Sequence, residues 1–437
     1  MQFQLNDIGK VSEAELSLDG ITIIVGNNNT GKTTISRALY AFVNSLYNID
    51  YEVDSQRKEQ AFRIVRSFFA VHRRPVSRYD FELRNMIDNF VENQNDDGFS
   101  IRTYLTNHFL PMALVTEIDK CISGLMEVRA LSNKAIRNQI IENYFNTIFR
   151  RQCLSVRGEV KSGRIKATFD GHVVSMLLQK DGGASYASDI NVQRRAYFVD
   201  TPDLLDFWGS IRTGAGTILS ATIRNGIAER IEGDDESSSE SALDDLIFAG
   251  KYDTFVKEIS RIIGGRFDFD ESNILKFVEP IISDGAPSAI DLNNVSEGLK
   301  AFGVLELLLR YRILREKDVL ILDEPEVHLH PEWQLEYAQL IVALQKAFNL
   351  RVLITTHSSN FMLALQFYAR IAGRKGVVNS YRIRPESKDS HYSVVKSEDA
   401  SDWDDAYFAF VKAAQKMQDL QSQAMRESQD GGTGDVY

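Results

Sequence analysis

Eight residues, Gly26-Asn27-Asn28-Asn29-Thr30-Gly31-Lys32-Thr33, fit the pattern GxxxxGK[ST] and constrain the fold more than any other stretch of the chain. The run before them, Ile21–Val25, is apolar and β-branched and predicts a buried strand. Thr33 to about Leu46 predicts a helix with Ile35, Leu39, Phe42 and Val43 on one face. A strand, a glycine-bounded turn and a helix in that order imply an α/β fold. The spacing has a chemical reason. Gly26 and Gly31 let the backbone curl so that successive N–H groups surround phosphate oxygens, and the helix adds its positive end. Lys32 can then reach the β- and γ-phosphates, and the Thr33 hydroxyl can ligate Mg²⁺. The candidate nucleotide-binding residues are therefore Gly26, Asn27, Asn28, Asn29, Thr30, Gly31, Lys32, Thr33 and Thr34, with ATP and Mg²⁺ as the cofactors.

A second signal lies far downstream. Val319-Leu320-Ile321-Leu322-Asp323-Glu324 runs four apolar residues into two acids, the pattern of a buried parallel strand that delivers carboxylates at its carboxyl end. Asp323 is the candidate second metal ligand and Glu324 the candidate base for an attacking water. Val352–Thr355 predicts another such strand, followed by Thr356-His357-Ser358, and a helix is expected between the two strands from about Glu332 to Phe348.

With 437 residues, two or three domains fit. The formal charge of −11 argues against a chain coated in nucleic acid, yet the charge is uneven. Residues 56–78 carry Arg57, Lys58, Arg63, Arg66, Arg73, Arg74 and Arg78 against Glu59 alone, a face that could meet DNA or protein. The two cysteines, Cys121 and Cys153, form no CxxC, and so few thiols in a long chain point to a reducing compartment. No run is long and apolar enough for a membrane helix, and Met1–Asp7 has no export signal, so the expected location is the cytoplasm, with no membrane partner. Residues 56–150 carry helical periodicity broken at Pro75 and Pro111. Three strands follow as a meander (Cys153–Glu159, Arg164–Phe169, His172–Leu178), then a strand at Arg195–Val199 closed by Thr201-Pro202. A loop is expected at 231–241, a hairpin through Phe267–Phe277, edge strands at Tyr381–Ile383 and Tyr392–Val395, a last helix at Asp404–Leu420 and a polar, disordered tail from 421.

Three features together carry a resemblance: Asp323-Glu324-Pro325-Glu326-Val327-His328-Leu329-His330-Pro331, the strand-ending His357, and Asn294-Val295-Ser296-Glu297-Gly298-Leu299-Lys300 opening an apolar helix. The arrangement resembles the ATP-binding-cassette ATPases, in the branch of SMC, RecF and overcoming-lysogenization-defect proteins. It covers residues 1–50 and 290–360 firmly. The resemblance implies an ATPase head, a β-lobe plus a phosphate-loop α/β lobe, with an inserted helical and β-region and no long coiled coil. The chain then divides into 1–50 (first part of the ATPase domain), 51–290 (insertion), 291–420 (second part) and 421–437 (tail). Ser296 and Gly298 match the second and fourth positions of the family signature, which touches the γ-phosphate held by the other subunit. Glu297 and Leu299 depart from that signature. His357 looks like the histidine that contacts the γ-phosphate, joining Lys32 and Glu324 as catalytic residues. Asn28 matches an asparagine the family often has within its phosphate loop. His328 and His330, with no third ligand nearby, are poor zinc candidates and read as part of the loop that crosses a dimer interface. The family's Q-loop glutamine has no identifiable counterpart.

The implied mechanism is a head-to-tail dimer, or a larger assembly, that buries two ATP molecules and is weakened by hydrolysis. Only about 80 residues follow His357, and Glu398 with Asp402-Trp403-Asp404 only mimics the acid pattern of an appended nuclease. The chain therefore looks like a stand-alone ATPase subunit of a bacterial anti-phage system, of Septu or PARIS type, working with a separately encoded nuclease or toxin. A RecF-like DNA-repair clamp, or a weakly hydrolysing scaffold that sequesters a toxin, fits the same residues.

Overall fold

A computed structural model describes residues 1–72, 80–109, 115–155, 160–169, 171–186, 191–200, 205, 218–232, 239–280, 288–373, 377–385 and 392–396. The chain forms two compact units, one of residues Met1–Tyr40, Ala167–Asp170 and Ala196–Tyr437, the other of Ala41–Lys166 and Gly171–Arg195.

The first unit opens with β1 (Gln2–Ile8) and β2 (Val11–Ser17), an antiparallel pair around the turn Gly9-Lys10. Then come β3 (Ile21–Val25) and the start of α1 (Lys32–Leu46). The second unit holds five helices, α2 (Ile49–Val71), α3 (Asp80–Glu92), α4 (Phe99–Phe109), α5 (Val115–Ala130) and α6 (Asn133–Ile148). They are followed by β4 (Ser162–Phe169), β5 (His172–Gln179) and β6 (Ala184–Tyr186). Its core gathers Phe62, Phe69, Leu83, Phe90, Leu105 and Phe109, the buried stripes of α2, α3 and α4, against Leu125 of α5.

The chain returns to the first unit with β7 (Ala196–Val199), α7 (Ile218–Glu232) and α8 (Ser239–Ile263). A three-stranded sheet follows, β8 (Arg266–Phe269), β9 (Leu275–Glu279) and β10 (Ser288–Asp291). The last elements are α9 (Glu297–Arg310), β11 (Val319–Asp323), α10 (Pro331–Phe348), β12 (Arg351–Thr356), α11 (Ser359–Ile371), β13 (Val378–Pro385) and β14 (Tyr392–Lys396). The main sheet of this unit runs β1-β2-β14-β13-β3-β12-β11-β7, parallel throughout β13-β3-β12-β11-β7. Its central strands are apolar on both faces because helices cover them: Ile21, Ile23, Leu320, Leu322, Val352 and Ile354 share one core with α9, α10 and α11. Burying each such side chain contributes about 1.5–3 kcal/mol before chain entropy is counted.

This is the α/β fold expected, and the longest helix among the described residues has 25 residues, too short for a coiled-coil arm. Three expectations are revised. Tyr381–Ile383 and Tyr392–Val395 lie inside the sheet, not at its edges, since β13 pairs with β3 and β14 with β2. Their mixed composition hides this, because β14 neighbours an antiparallel hairpin whose outer face is polar. The second unit closes at Arg195, whereas an insertion to 290 was expected. β7 joins the parallel sheet, and Tyr252, Ile259, Phe267 and Phe277 belong to the core under α9. Arg57 is not part of an open basic face: it is 7% exposed and donates to the Arg129 carbonyl (3.0 Å) and Asn133 Oδ1 (2.5 Å). Pro75, Arg73, Arg74, Arg78, Pro111, Thr201-Pro202, most of the 231–241 loop, most of the 153–159 strand, Glu398, Asp402–Asp404, the 404–420 helix and the tail lie outside the described residues.

Candidate nucleotide site

Parallel strands expose their carboxyl ends on one edge of a sheet, and three adjacent ones end here side by side. β12 lies between β3 and β11, and the register aligns Asp323 with Thr355 and Thr355 with Ile24. The phosphate loop after β3, the acids after β11 and His357 after β12 therefore meet, although some 290 residues separate the first two.

The loop is drawn tight by its own groups. Gly31 takes φ +103°, a left-handed conformation that side-chain-bearing residues resist, and its Cα faces Val11 so closely that a Cβ would sit 2.9 Å from Val11 Cγ2. Thr30 Oγ1 donates to the Asn27 carbonyl (2.8 Å), and Asn27, Asn28 and Asn29 are exposed. Thr34 packs its side chain against the Gly9 turn. Lys32 is almost wholly buried, and its ammonium donates to the carbonyls of Gly26 (2.7 Å) and Asn27 (3.0 Å) and pairs with Glu324 Oε1 at 3.1 Å.

Thr33 Oγ1 donates to Asp323 Oδ2 at 2.7 Å, and Thr355 Oγ1 donates to the other carboxylate oxygen. Burial raises the Asp323 pKa, opposed by the hydrogen bonds from Thr355 and Thr33; the neighbouring Glu324 charge raises it further and Arg37 lowers it. A hydroxyl and a carboxylate oxygen this close form the all-oxygen donor set a small hard cation prefers, so Thr33 and Asp323 fit Mg²⁺, with water and phosphate completing its shell.

Glu324 sits at φ +52°, a left-handed backbone that costs a branched or long residue about 1–3 kcal/mol and that clusters at functional sites. Its N–H donates to the Thr355 carbonyl (2.9 Å), which locks the turn. Glu324 Oε2 lies 3.5 Å from His357 Nδ1, so the three expected catalytic residues, Lys32, Glu324 and His357, form one connected group.

Ser296 and Gly298 do not join that group. Ser296 caps α9, accepting from the Leu299 N–H at 3.4 Å. With Glu297, His328, His330, Glu332 and Trp333, they line a separate cavity of about 440 Å³ that contains no phosphate-loop residue. Gly298 lies so near Trp333 and the His328 carbonyl (3.1–3.3 Å for an added Cβ) that only glycine fits without displacement. Glu297, one of the two residues that depart from the signature this segment resembles, pairs with buried Lys300 at 2.9 Å.

Four residues without an assigned role also belong to the nucleotide site. Lys10 Nζ donates to Asn29 Oδ1 (2.6 Å), and Thr355, Thr356 and Glu326 make the hydrogen bonds behind the acids. The two threonines could have been suspected from their place at the strand end. Nothing local marks Lys10, whose approach depends on how the β1–β2 hairpin folds.

The family described as "AAA ATPase domain" matches residues 2–180, and the family described as "AAA domain, putative AbiEii toxin, Type IV TA system" matches residues 222–364. The chain is similar to ATPase domains. One match holds the phosphate loop and the other holds Ser296, Asp323, Glu324 and His357. No curated protein matches the sequence. Similar solved structures are an Smc head bound to the C-winged helix domain of ScpA (14% identity, 91% of this chain and 96% of that one, TM-score 0.44) and the SMC head domain from Thermotoga maritima (12%, 91% and 98%, 0.36). A third is an Smc head with an extended coiled coil bound to the C-terminal domain of ScpA from Pyrococcus furiosus (12%, 96% and 98%, 0.41).

Proposed function

We propose that this protein binds ATP with Mg²⁺ and hydrolyses it to ADP and phosphate. The observation that carries the reading is the pairing of Thr33 with Asp323 and of Lys32 with Glu324, which brings the two distant motifs into one site. ATP would thread its phosphates over the loop from Gly26 to Thr34, displacing Lys32 from Glu324 and from the loop carbonyls. Mg²⁺, held by Thr33 and Asp323, would neutralise charge on the β- and γ-phosphates. Glu324, released from Lys32, would orient the attacking water and accept its proton as the bond between the γ-phosphorus and the bridging oxygen breaks. His357 would hold the γ-phosphate.

The separate cavity around Ser296 and Gly298 supports a composite site, in which that cavity of one copy meets the phosphates bound by another. ATP would then select a head-to-tail dimer or larger assembly through its greater affinity for the closed state. We read the chain as the sensing and regulatory subunit of a cytoplasmic anti-phage system controlling a separate nuclease or toxin. The description attached to the 222–364 match, which names a toxin of a toxin–antitoxin system, favours that reading. Over a DNA clamp it is favoured by the burial of Arg57 and the pairing of Lys58 with Glu92 (2.6 Å), which leave fewer open charges on α2. The pairing of Glu297 with Lys300 keeps the weakly hydrolysing scaffold as the second reading.

The test is the solution mass of Glu324→Gln with ATP, with ADP and without nucleotide. The expected outcome is a larger assembly with ATP alone; one mass in all three conditions overturns the ATP-gated assembly and moves the scaffold forward.

A further inference from the structure

Glu326 follows the two acids by a proline and is 3% exposed, far more enclosed than Glu324. Such burial is costly for a carboxylate unless its hydrogen bonds are made. One oxygen, Oε1, is well supplied: it accepts from the Thr356 hydroxyl and from the His357 N–H at 3.3 Å, and it stands 3.7 Å from His357 Nδ1. The other, Oε2, is buried with no hydrogen-bond partner. Thr356 Oγ1 in turn accepts from the Ser358 N–H (2.9 Å), so the turn that carries His357 is pinned through this carboxylate.

His357 Nδ1 thus faces two carboxylates, Glu324 at 3.5 Å and Glu326 at 3.7 Å, while Nε2 has no protein partner among the described residues. The two acids are not equivalent. Glu324 is half-buried, pairs with Lys32 and is the group a water must reach, so it cannot also anchor the imidazole throughout a turnover. Glu326 is enclosed and fixed by two donors, and the oxygen they hold, Oε1, is the one that stands 3.7 Å from Nδ1.

We infer that Glu326 is the positioning residue of His357: it takes over the Nδ1–H when Glu324 turns to the water, so that the ring keeps its orientation and, carrying a proton on each nitrogen, donates its Nε2–H to a phosphate oxygen. The inference rests on the ATPase reading of this site. A histidine's reactive nitrogen is set by the hydrogen bond its other nitrogen makes. Thr356 and the His357 N–H need only an acceptor, and a glutamine carbonyl supplies one. A purely structural role is therefore met by glutamine, whereas a ring that carries a proton on each nitrogen needs the negative charge beside it, which a glutamine carbonyl does not supply.

The experiment is a double-mutant cycle of Glu326→Gln and His357→Asn, read as kcat and KM for ATP hydrolysis by the full chain with Mg²⁺. Glu326→Gln is expected to lower kcat about 10-fold or more with KM within about 2-fold, and to change kcat less than about 2-fold in the His357→Asn background. Undiminished kcat in Glu326→Gln, or an equal loss in both backgrounds, overturns the inference. A second readout does not need turnover. The ¹⁵N signals of His357, assigned by their loss in His357→Asn, are expected to report a proton on both ring nitrogens in the native chain with a non-hydrolysable ATP analogue and Mg²⁺, and on one alone in Glu326→Gln. A ring with a single proton in that native complex, or signals unmoved by Glu326→Gln, overturns it. If the native chain hydrolyses no ATP, the ATPase reading fails and the ¹⁵N measurement alone decides this inference.

Discussion

At the residue scale, Lys32 has a different environment from the one its motif implies. It is turned onto the carbonyls of its own loop and onto Glu324, a buried ammonium satisfied by internal partners. On the proposed reading ATP would replace those partners with phosphate oxygens, an exchange of one set of charge-assisted bonds for another. Lys32→Ala removes both sets, so the loss is the margin, taken as one charge-assisted bond, by which the phosphate contacts outweigh the internal ones. Hydrogen bonds to charged groups contribute about 1.5–3 kcal/mol each, so ATP affinity should fall on the order of 10–100-fold. Titration with a fluorescent ATP analogue measures it, and unchanged affinity would mean that Lys32 stays with Glu324 in the bound state. The thiols need no such exchange: burial pushes Cys121 up to about 11 and Cys153 to about 12, so both stay protonated and unreactive at neutral pH.

At the scale of elements, α9 ties the signature to the core through a buried charge. Glu306 on its inner face is fully buried, accepts from the Phe267 N–H (3.0 Å) and Ser260 Oγ (3.4 Å), and pairs with Arg310 one turn on. Its pKa is raised, burial outweighing the pull of Arg310 and the hydrogen bonds. The native chain therefore holds this proton to a higher pH than the unfolded chain does, and Glu306 contributes stability at low pH that is lost as pH rises through the raised value. Glutamine mimics the protonated acid at every pH. Glu306→Gln should gain stability relative to the native chain as pH goes from below the ordinary glutamate value to neutrality, and urea melts at both ends test the sign. A gain that shrinks as pH rises would show that Arg310 dominates. Elements of this kind were legible where a local pattern sufficed: β3, β11 and β12 fall within a residue or so of their expected bounds because short apolar runs between turns have few alternatives. The interior places of β13 and β14 were not legible, since strand order depends on pairing partners more than 350 residues away.

At the scale of the whole molecule, nucleotide should act as a ligand of the folded state. With ATP at 100 times its Kd, stability should rise by about 2.7 kcal/mol, and more where a second copy closes over the site. That surplus has a signature of its own. The melting temperature with ATP and Mg²⁺ should climb with protein concentration, while without nucleotide it should not. Differential scanning fluorimetry over a hundredfold concentration range measures both, and an ATP shift independent of concentration would confine the site to a single chain.

What the sequence determined by itself is local and chemical. A glycine-bounded loop between an apolar strand and a helix has one good use for its N–H groups and its lysine, and two acids ending an apolar strand can emerge only at a sheet's carboxyl edge. These follow from φ/ψ limits, side-chain periodicity and donor chemistry, all of which act over a few residues. What tertiary structure decided is proximity. That β12 lies between β3 and β11, that Lys32 pairs with Glu324, that Arg57 is spent inside a helical core and that Glu326 stands behind His357 all depend on contacts between segments remote in the chain. Such contacts come from burying many apolar faces at once, and no window of sequence contains both partners.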